Sequence, residues 1–102
     1  MHQGEIWLIE QSNRQARPAL VVTRSEAIPV LNEVVVAPIT STIRDIPTCI
    51  TVGRPEGLDH DSVVTFDQLR CIPKSAMALR LGELPIGRRH EICSALAALS
   101  DC

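Results

Sequence analysis

The chain has 102 residues, a formal net charge of −2 at pH 7 and an apolar fraction of 45%. That length accommodates one compact domain and leaves too little chain for a second core, so we expect a single domain over residues 1–102. The acidic balance excludes a protein that coats nucleic acid through a broad basic surface, and two aromatic residues, Trp7 and Phe66, are too few for a base-stacking platform.

Short apolar segments, most of them rich in β-branched residues, predict the strands of a β protein. In chain order they cover residues 4–9, 19–23, 34–37, 48–52, 63–72 and 79–84. The turn-prone segment 11–13 separates the first two, and Pro38 after the third places Thr40 at a strand end. Gly82, inside the last segment, indicates a bulge or a close approach of two backbones.

The end of the chain predicts an amphipathic helix that begins near Pro85. Apolar side chains recur there at helical spacing in two stripes, through which we expect the helix to pack on the sheet. The stripes are Ile86, His90, Cys93 and Ala97, and Ile92, Leu96 and Leu99. Short strands followed by one helix predict a mainly β fold, a small antiparallel β-barrel packed by its C-terminal helix.

Several kinds of site are excluded. The sequence has no Gly-rich phosphate loop, and its closest metal-like spacing, His90-x-x-Cys93, supplies only two ligands, so we expect no metal and no cofactor, with that pair on a packed helix face. The four cysteines show no C-x-x-C pairing, which favours reduced thiols. Since the N-terminus also lacks a signal-peptide pattern and no apolar run approaches about 18 residues, we expect a cytoplasmic protein without membrane contact.

The residue types left for chemistry are Arg, Thr and Asp at strand ends and loops, a set that suits a phosphate better than a carbonyl. Arg17 leads this set, because a guanidinium binds two phosphate oxygens at once and stays charged at any working pH. Residues 11–24 also carry Arg14 and Arg24 and no acid, so the region is locally basic. On its own, however, an Arg before Pro is more often an ordinary surface residue.

A series of segments closely resembles the MazF/PemK (Kid-type) toxin family, and the likeness spans roughly residues 4–100. The segments are Gly4-Glu5-Ile6-Trp7, Arg17-Pro18-Ala19-Leu20-Val21-Val22-Thr23, Val36-Ala37-Pro38-Ile39-Thr40-Ser41, Asp61-Ser62-Val63-Val64, Asp67-Gln68-Leu69-Arg70 and Leu81-Gly82-Glu83-Leu84. The resemblance implies an SH3-like barrel, a homodimer and a cognate MazE-like antitoxin. It also implies a metal-independent endoribonuclease, in which the 2′-hydroxyl of single-stranded RNA attacks to leave a 2′,3′-cyclic phosphate and a 5′-hydroxyl.

The resemblance extends to the site residues. Arg17 and Thr40 match the family's catalytic Arg and Thr, and Asp67 matches an acid that serves as general base in some relatives. A simple ion-pair partner on a strand, flanked by Gln68 and Arg70, is an equal alternative for Asp67. Further RNA contacts are expected from Asn13, Arg14, Gln15, Arg24, Ser41 and Arg44.

Thr65 departs from the family pattern. In the relatives that use the acid at the Asp67 position, the resemblance implies an Arg two residues earlier as general acid, and here that position is Thr65. The charge stabilisation then falls to Arg17, or to Arg17 assisted by Arg14, Arg44 or His60. An imidazole can act as acid or base near neutral pH, but a lone loop His is commonly a solvated residue, and both interpretations of His60 stay open.

Two other functions compete with the nuclease. The first is a toxin on the same barrel that poisons a protein such as DNA gyrase, which relatives of that kind do through a helix with an exposed aromatic end; here the segment 99–102 has no aromatic residue. The second is an SH3-like binding module, against which the scarcity of aromatic residues argues.

Overall fold

The computed structural model describes residues 1–11 and 15–100. Within these ranges the elements occur in the predicted order and consist of short strands followed by one α-helix. They are β1 (Glu5–Ile9), β2 (Arg17–Val21), β3 (Glu33–Thr40), β4 (Cys49–Val52), β5 (Ser62–Thr65), β6 (Arg70–Pro73), β7 (Met77–Glu83) and α1 (His90–Ser100). No helix in these ranges has the length and apolar character needed to cross a membrane.

The strands form a curled antiparallel half-barrel in the order β4-β5-β3-β2-β1-β7, with β6 also paired to β3. The long strand β3 makes the curl possible, because it pairs with β2 along one edge and with β6 and then β5 along the other. The mainly β fold with a C-terminal helix is therefore confirmed. Thr40 ends β3, as predicted.

Two strand predictions need correction. Segment 63–72 is not one strand, because a 3-10 turn over Phe66–Gln68 divides it into β5 and β6 and carries the fully buried Phe66 into the core. Pro38 does not end a strand. It lies inside β3, where it pairs with Ala19 of β2. On the other edge of β3 it falls between the residues that pair with β6 and those that pair with β5, so its missing N–H interrupts neither of those two ladders.

Apolar side chains form two core clusters, and alternate residues of β2 contribute to each. Leu20 belongs to the first cluster with Phe66 and Ile92, whereas Val21 belongs to the second. This alternation follows from the two-residue period of a strand, which directs successive side chains to opposite faces of the sheet. Each face of the central sheet is therefore anchored by its own core.

The helix α1 packs on the first cluster with only one of its two predicted stripes. Ile92 is buried, and Leu96 packs partly buried against the same cluster. The prediction that His90 and Cys93 lie on a packed face was wrong, since both are exposed on α1. A single helix on a curved sheet buries one stripe only, and periodicity alone does not say which one.

The loop between β4 and β5 is held against the rest of the fold at two places. The buried Glu56 carboxylate accepts a hydrogen bond from the Gly53 N–H at 2.7 Å and lies 3.8 Å from the Arg88 guanidinium. Further on, the backbone of Gly57 (φ 100°) meets that of Gly82 so closely that a Cβ on Gly82 would overlap the Glu56 carbonyl. A register shift between β1 and β7 lies beside Gly82, so the predicted bulge and close approach are confirmed.

We expect acid to weaken the contact between Arg88 and Glu91. Arg88 donates hydrogen bonds of 2.7 and 2.9 Å to the two carboxylate oxygens of Glu91, which lowers the pKa of Glu91 from its ordinary value of 4.5. A carboxyl with a depressed folded pKa stabilises the fold above its unfolded pKa and loses this effect as the pH falls through the folded pKa. For this partly exposed pair the loss is about 0.3–1 kcal/mol.

Thermal unfolding followed between pH 7 and pH 3 measures this contribution. Glu91→Gln should show a smaller drop in Tm across that interval than the parent chain, because it lacks the titrating group. An identical pH dependence in the parent chain and in Glu91→Gln would contradict the prediction.

Candidate active site

The candidate active site centres on Arg17, the first residue of β2. Arg17 lies opposite Ile9 at the end of β1, and its side chain is exposed. Pro18 favours this extended start, since the residue before a proline is restricted to β-type conformations. Arg17, Pro18 and Ile39 each line two cavities, so Arg17 lies between them.

The larger cavity has a volume of about 460 Å³ and brings hydroxyl groups to Arg17. Thr40 and Ser41 line it from the end of β3, and the loop between β4 and β5 contributes Asp59 and His60. The rest of its lining is Leu8, Gly57, Leu58, Ser62 and Leu81. The structure therefore brings together three of the residues predicted for the site, Arg17, Thr40 and Ser41.

The Thr40 hydroxyl is oriented by its own turn. Its Oγ1 accepts a hydrogen bond from the Thr42 N–H at 3.2 Å. This contact is the turn-capping role that a Thr at a strand end can play. Because Oγ1 acts there as the acceptor, its O–H can still donate to an anion in the cavity.

A smaller cavity of about 100 Å³ lies against the second core cluster, the one that contains Val21. Its polar lining is Arg17, Arg70, Gln11 and Gln15, and apolar side chains of Ile9, Ala19 and Val36 complete the wall. Arg70 donates a hydrogen bond from Nη2 to Gln11 Oε1 at 2.9 Å. A second guanidinium therefore lines a cavity that Arg17 also lines, together with two side-chain amides that can read hydrogen-bonding edges.

Sequence reasoning missed Arg70. The available signal was its place as the one basic residue of Asp67-Gln68-Leu69-Arg70. Its proximity to Arg17 depends on the sheet, because Arg70 pairs with Val36 of β3, and Val36 in turn pairs with Val21 of β2. Segments more than 50 residues apart in the sequence meet only through these ladders.

Asp67 lies away from both cavities that Arg17 lines. It is exposed on the 3-10 turn between β5 and β6, and its Oδ2 accepts a hydrogen bond of 2.6 Å from the Thr48 hydroxyl. Thr65, at the family's Arg position, is half-buried at the end of β5 opposite Cys49. This hydrogen bond to a hydroxyl, in place of the expected ion pair, suits a structural role for Asp67.

The other predicted RNA contacts are dispersed. Arg24 is exposed beyond the far end of β2, and Arg44 is exposed in the segment after β3; neither lines a cavity with Arg17. Gln15 does line the smaller cavity. Asn13 and Arg14 lie outside the described residues.

The charges at the site come from a few side chains. Arg17 and Arg70 carry positive charge on the smaller cavity, and Asp59 carries negative charge on the larger one. Over residues 1–11 and 15–100 no group of three or more His, Cys, Asp or Glu side chains is placed to hold a metal ion. The described thiols of Cys49, Cys71 and Cys93 are free.

Guanidinium and hydroxyl donors at the edge of a curled half-barrel can bind a phosphodiester and stabilise negative charge that grows on it. The protein is thus a small curled half-barrel with a C-terminal helix, and the donors at its edge are of the kind that phosphate groups require. A family model described as PemK-like, MazF-like toxin of type II toxin-antitoxin system matches residues 2–100. The chain belongs to this family, and the resemblance read from its sequence is confirmed.

Individual relatives agree with the family assignment. The chain is 33% identical over 101 residues to the probable endoribonuclease MazF5 of Mycobacterium tuberculosis, with 98% of this chain and 93% of the relative covered. Among solved structures, the M. tuberculosis toxin MazF-mt6 superposes with a TM-score of 0.87 at 32% identity, covering 95% of this chain and 96% of that one. A mycobacterial endoribonuclease in complex with its cognate antitoxin superposes with a TM-score of 0.86 at 25% identity, covering 99% and 95%.

Proposed function

We propose that this chain is the endoribonuclease toxin of a type II toxin–antitoxin pair, that it cuts single-stranded RNA without a metal ion, and that it acts in the cytoplasm as a single-domain homodimer. The observation that carries the proposal is the cavity shared by Arg17, Thr40 and Ser41. The relatives' names support the same function, since they are called endoribonucleases. They favour it over a gyrase poison on the same fold.

In the proposed reaction, the 2′-oxygen of one nucleotide attacks the adjacent phosphorus while the bond from phosphorus to the 5′-oxygen breaks. Negative charge grows on the non-bridging oxygens. The Arg17 guanidinium would bind two of these oxygens, and the Thr40 O–H would donate to the same phosphate and fix its position. Both groups act by binding and charge stabilisation, which needs no metal ion.

The smaller cavity supports a role in holding the neighbouring nucleotide. Arg70 would contact a backbone phosphate, and Gln11 and Gln15 offer amides to a splayed-out base. Affinity that depends on such phosphate contacts falls as salt concentration rises, because binding releases counterions from the RNA. For Asp67, the hydrogen bond from the Thr48 hydroxyl favours a structural role, in which Asp67 holds Thr48 in place, over a role as general base.

The same basic surface would serve the antitoxin. A partly disordered acidic segment could lie over Arg17 and Arg70 and cover the cavities that RNA needs. One structural relative was solved with its cognate antitoxin, which supports a MazE-like partner for this chain. Binding of antitoxin and binding of RNA would then exclude each other.

A direct test is to incubate the purified chain with a mixture of RNAs in excess EDTA and to map new 5′-hydroxyl ends. We expect cuts at a restricted set of sequences, with a 2′,3′-cyclic phosphate on the upstream fragment. Arg17→Ala prepared in parallel controls for contaminating nucleases, since it should leave the RNA intact. If the parent chain produces no new ends in any RNA, the nuclease function is wrong.

A further inference from the structure

The proposed reaction requires a proton at the 5′-oxygen, because an alkoxide is a poor leaving group. Neither residue assigned above supplies it readily, since a guanidinium does not release its proton at working pH and an alcohol is a weak acid. Among the residues that line the larger cavity, His60 is the one whose side-chain type exchanges a proton near neutral pH. Its imidazole is exposed, so water can restore the proton after each turnover.

The loop that carries His60 is held in place by contacts on both sides of that residue. Ser62 Oγ donates to the His60 carbonyl at 3.2 Å, and Arg54 Nε donates to the Asp59 carbonyl at 3.2 Å. Earlier in the loop, the backbone of Gly57 is fixed against that of Gly82 in β7. The backbone that carries His60 is therefore held at the cavity wall, which keeps the imidazole within reach of a ligand in the cavity.

We propose that His60, in its imidazolium form, is the general acid of the cleavage reaction. This inference rests on the proposed function. As the bond between the 2′-oxygen and phosphorus forms, the electron pair of the breaking P–O5′ bond goes to the 5′-oxygen, which takes the proton from His60. The proton of the 2′-hydroxyl passes to water, and the neutral imidazole takes a new proton from solvent.

The charged groups around His60 come from β2 and from the loop between β4 and β5. Arg17 and Asp59 share the cavity lining, Asp61 follows in the chain, and Arg54 holds the Asp59 carbonyl. Substitutions that test His60 must leave these four groups in place.

The test compares His60→Gln with His90→Gln, a matched change at an exposed position on α1. On ordinary RNA, His60→Gln should lower kcat by about 10²-fold or more, the usual size of a general-acid effect. Because a general acid must carry its proton, the parent rate should fall as the pH rises, and His60→Gln should lose this decline. His90→Gln should keep both the parent rate and its pH profile.

A modified substrate distinguishes a general acid from a general base at His60. When sulfur replaces the 5′-oxygen at the cut bond, the thiolate leaves without a proton, so His60→Gln should cut this RNA within about threefold of the parent rate. A variant equally slow on both substrates would overturn the general-acid role, and so would a variant unimpaired on ordinary RNA. A parent chain that cuts no RNA would instead mean that the proposed function itself is wrong.

Discussion

Arg17→Ala should lower kcat for RNA cleavage by about 10³-fold while the chain stays folded. Arg17 is exposed and lines two cavities, so its removal takes away the main positive charge at the proposed scissile phosphate without opening the core. The measurement is single-turnover cleavage of an RNA that contains one cut site, with Tm and dimer mass recorded for the same preparations. Loss of activity with Tm unchanged would place the effect in the transition state.

Three further variants sharpen this prediction. Arg17→Lys keeps the charge but not the two-pronged contact and should recover only part of the rate. Thr40→Val should cost less than Arg17→Ala, because it removes one neutral donor. Arg24 lies beyond the other end of β2, away from the proposed scissile phosphate. Arg24→Ala should therefore weaken RNA binding and raise KM without lowering kcat. Retained activity in Arg17→Ala would show that the catalytic assignment is wrong.

Gly82→Ala should destabilise the chain by about 3 kcal/mol or prevent it from folding. The added methyl would overlap the Glu56 carbonyl, and the nearest atoms are backbone atoms of Glu56 and Gly57, which cannot turn away as a side chain could. Separation of the two segments would also displace the loop that lines the larger cavity. Urea unfolding at constant pH measures the change in the free energy of unfolding.

Gly87→Ala is the matched control for Gly82→Ala. A Cβ on Gly87 meets nothing within 4 Å, so the substitution should be neutral or slightly stabilising. If both variants unfold at the same urea concentration, the close contact between the β4–β5 loop and β7 is not important for stability.

The sequence sufficed for features that depend on local pattern. The close approach at Gly82 follows from a glycine inside a stretch of β-formers, and Thr40 ends a strand as predicted, although Pro38, on which that prediction relied, lies inside β3. The position of Arg17 at the start of β2 is explained by the proline after it. Once these elements are in order, the mainly β fold with its helix follows.

The local sequence pattern could not predict which residues meet across the sheet. Arg70 reaches the cavity of Arg17 through two successive strand pairings, and His60 reaches the cavity of Thr40 because its loop is fastened to β7. The break at Phe66 was also missed, since a buried aromatic between polar residues fits a continuous strand as well as a turn. Tertiary contacts decide such cases.

The position of one guanidinium between two cavities has a consequence for how cleavage specificity can change. Nucleotides on the two sides of the cut bond would be read by separate parts of the chain: one cavity is walled by Gln11, Gln15 and β6, the other by the loop between β4 and β5. Substitutions in one wall can alter the preferred base on that side alone. Recognition built in this way would be modular, so the target sequence could change while the reaction at the centre stays the same.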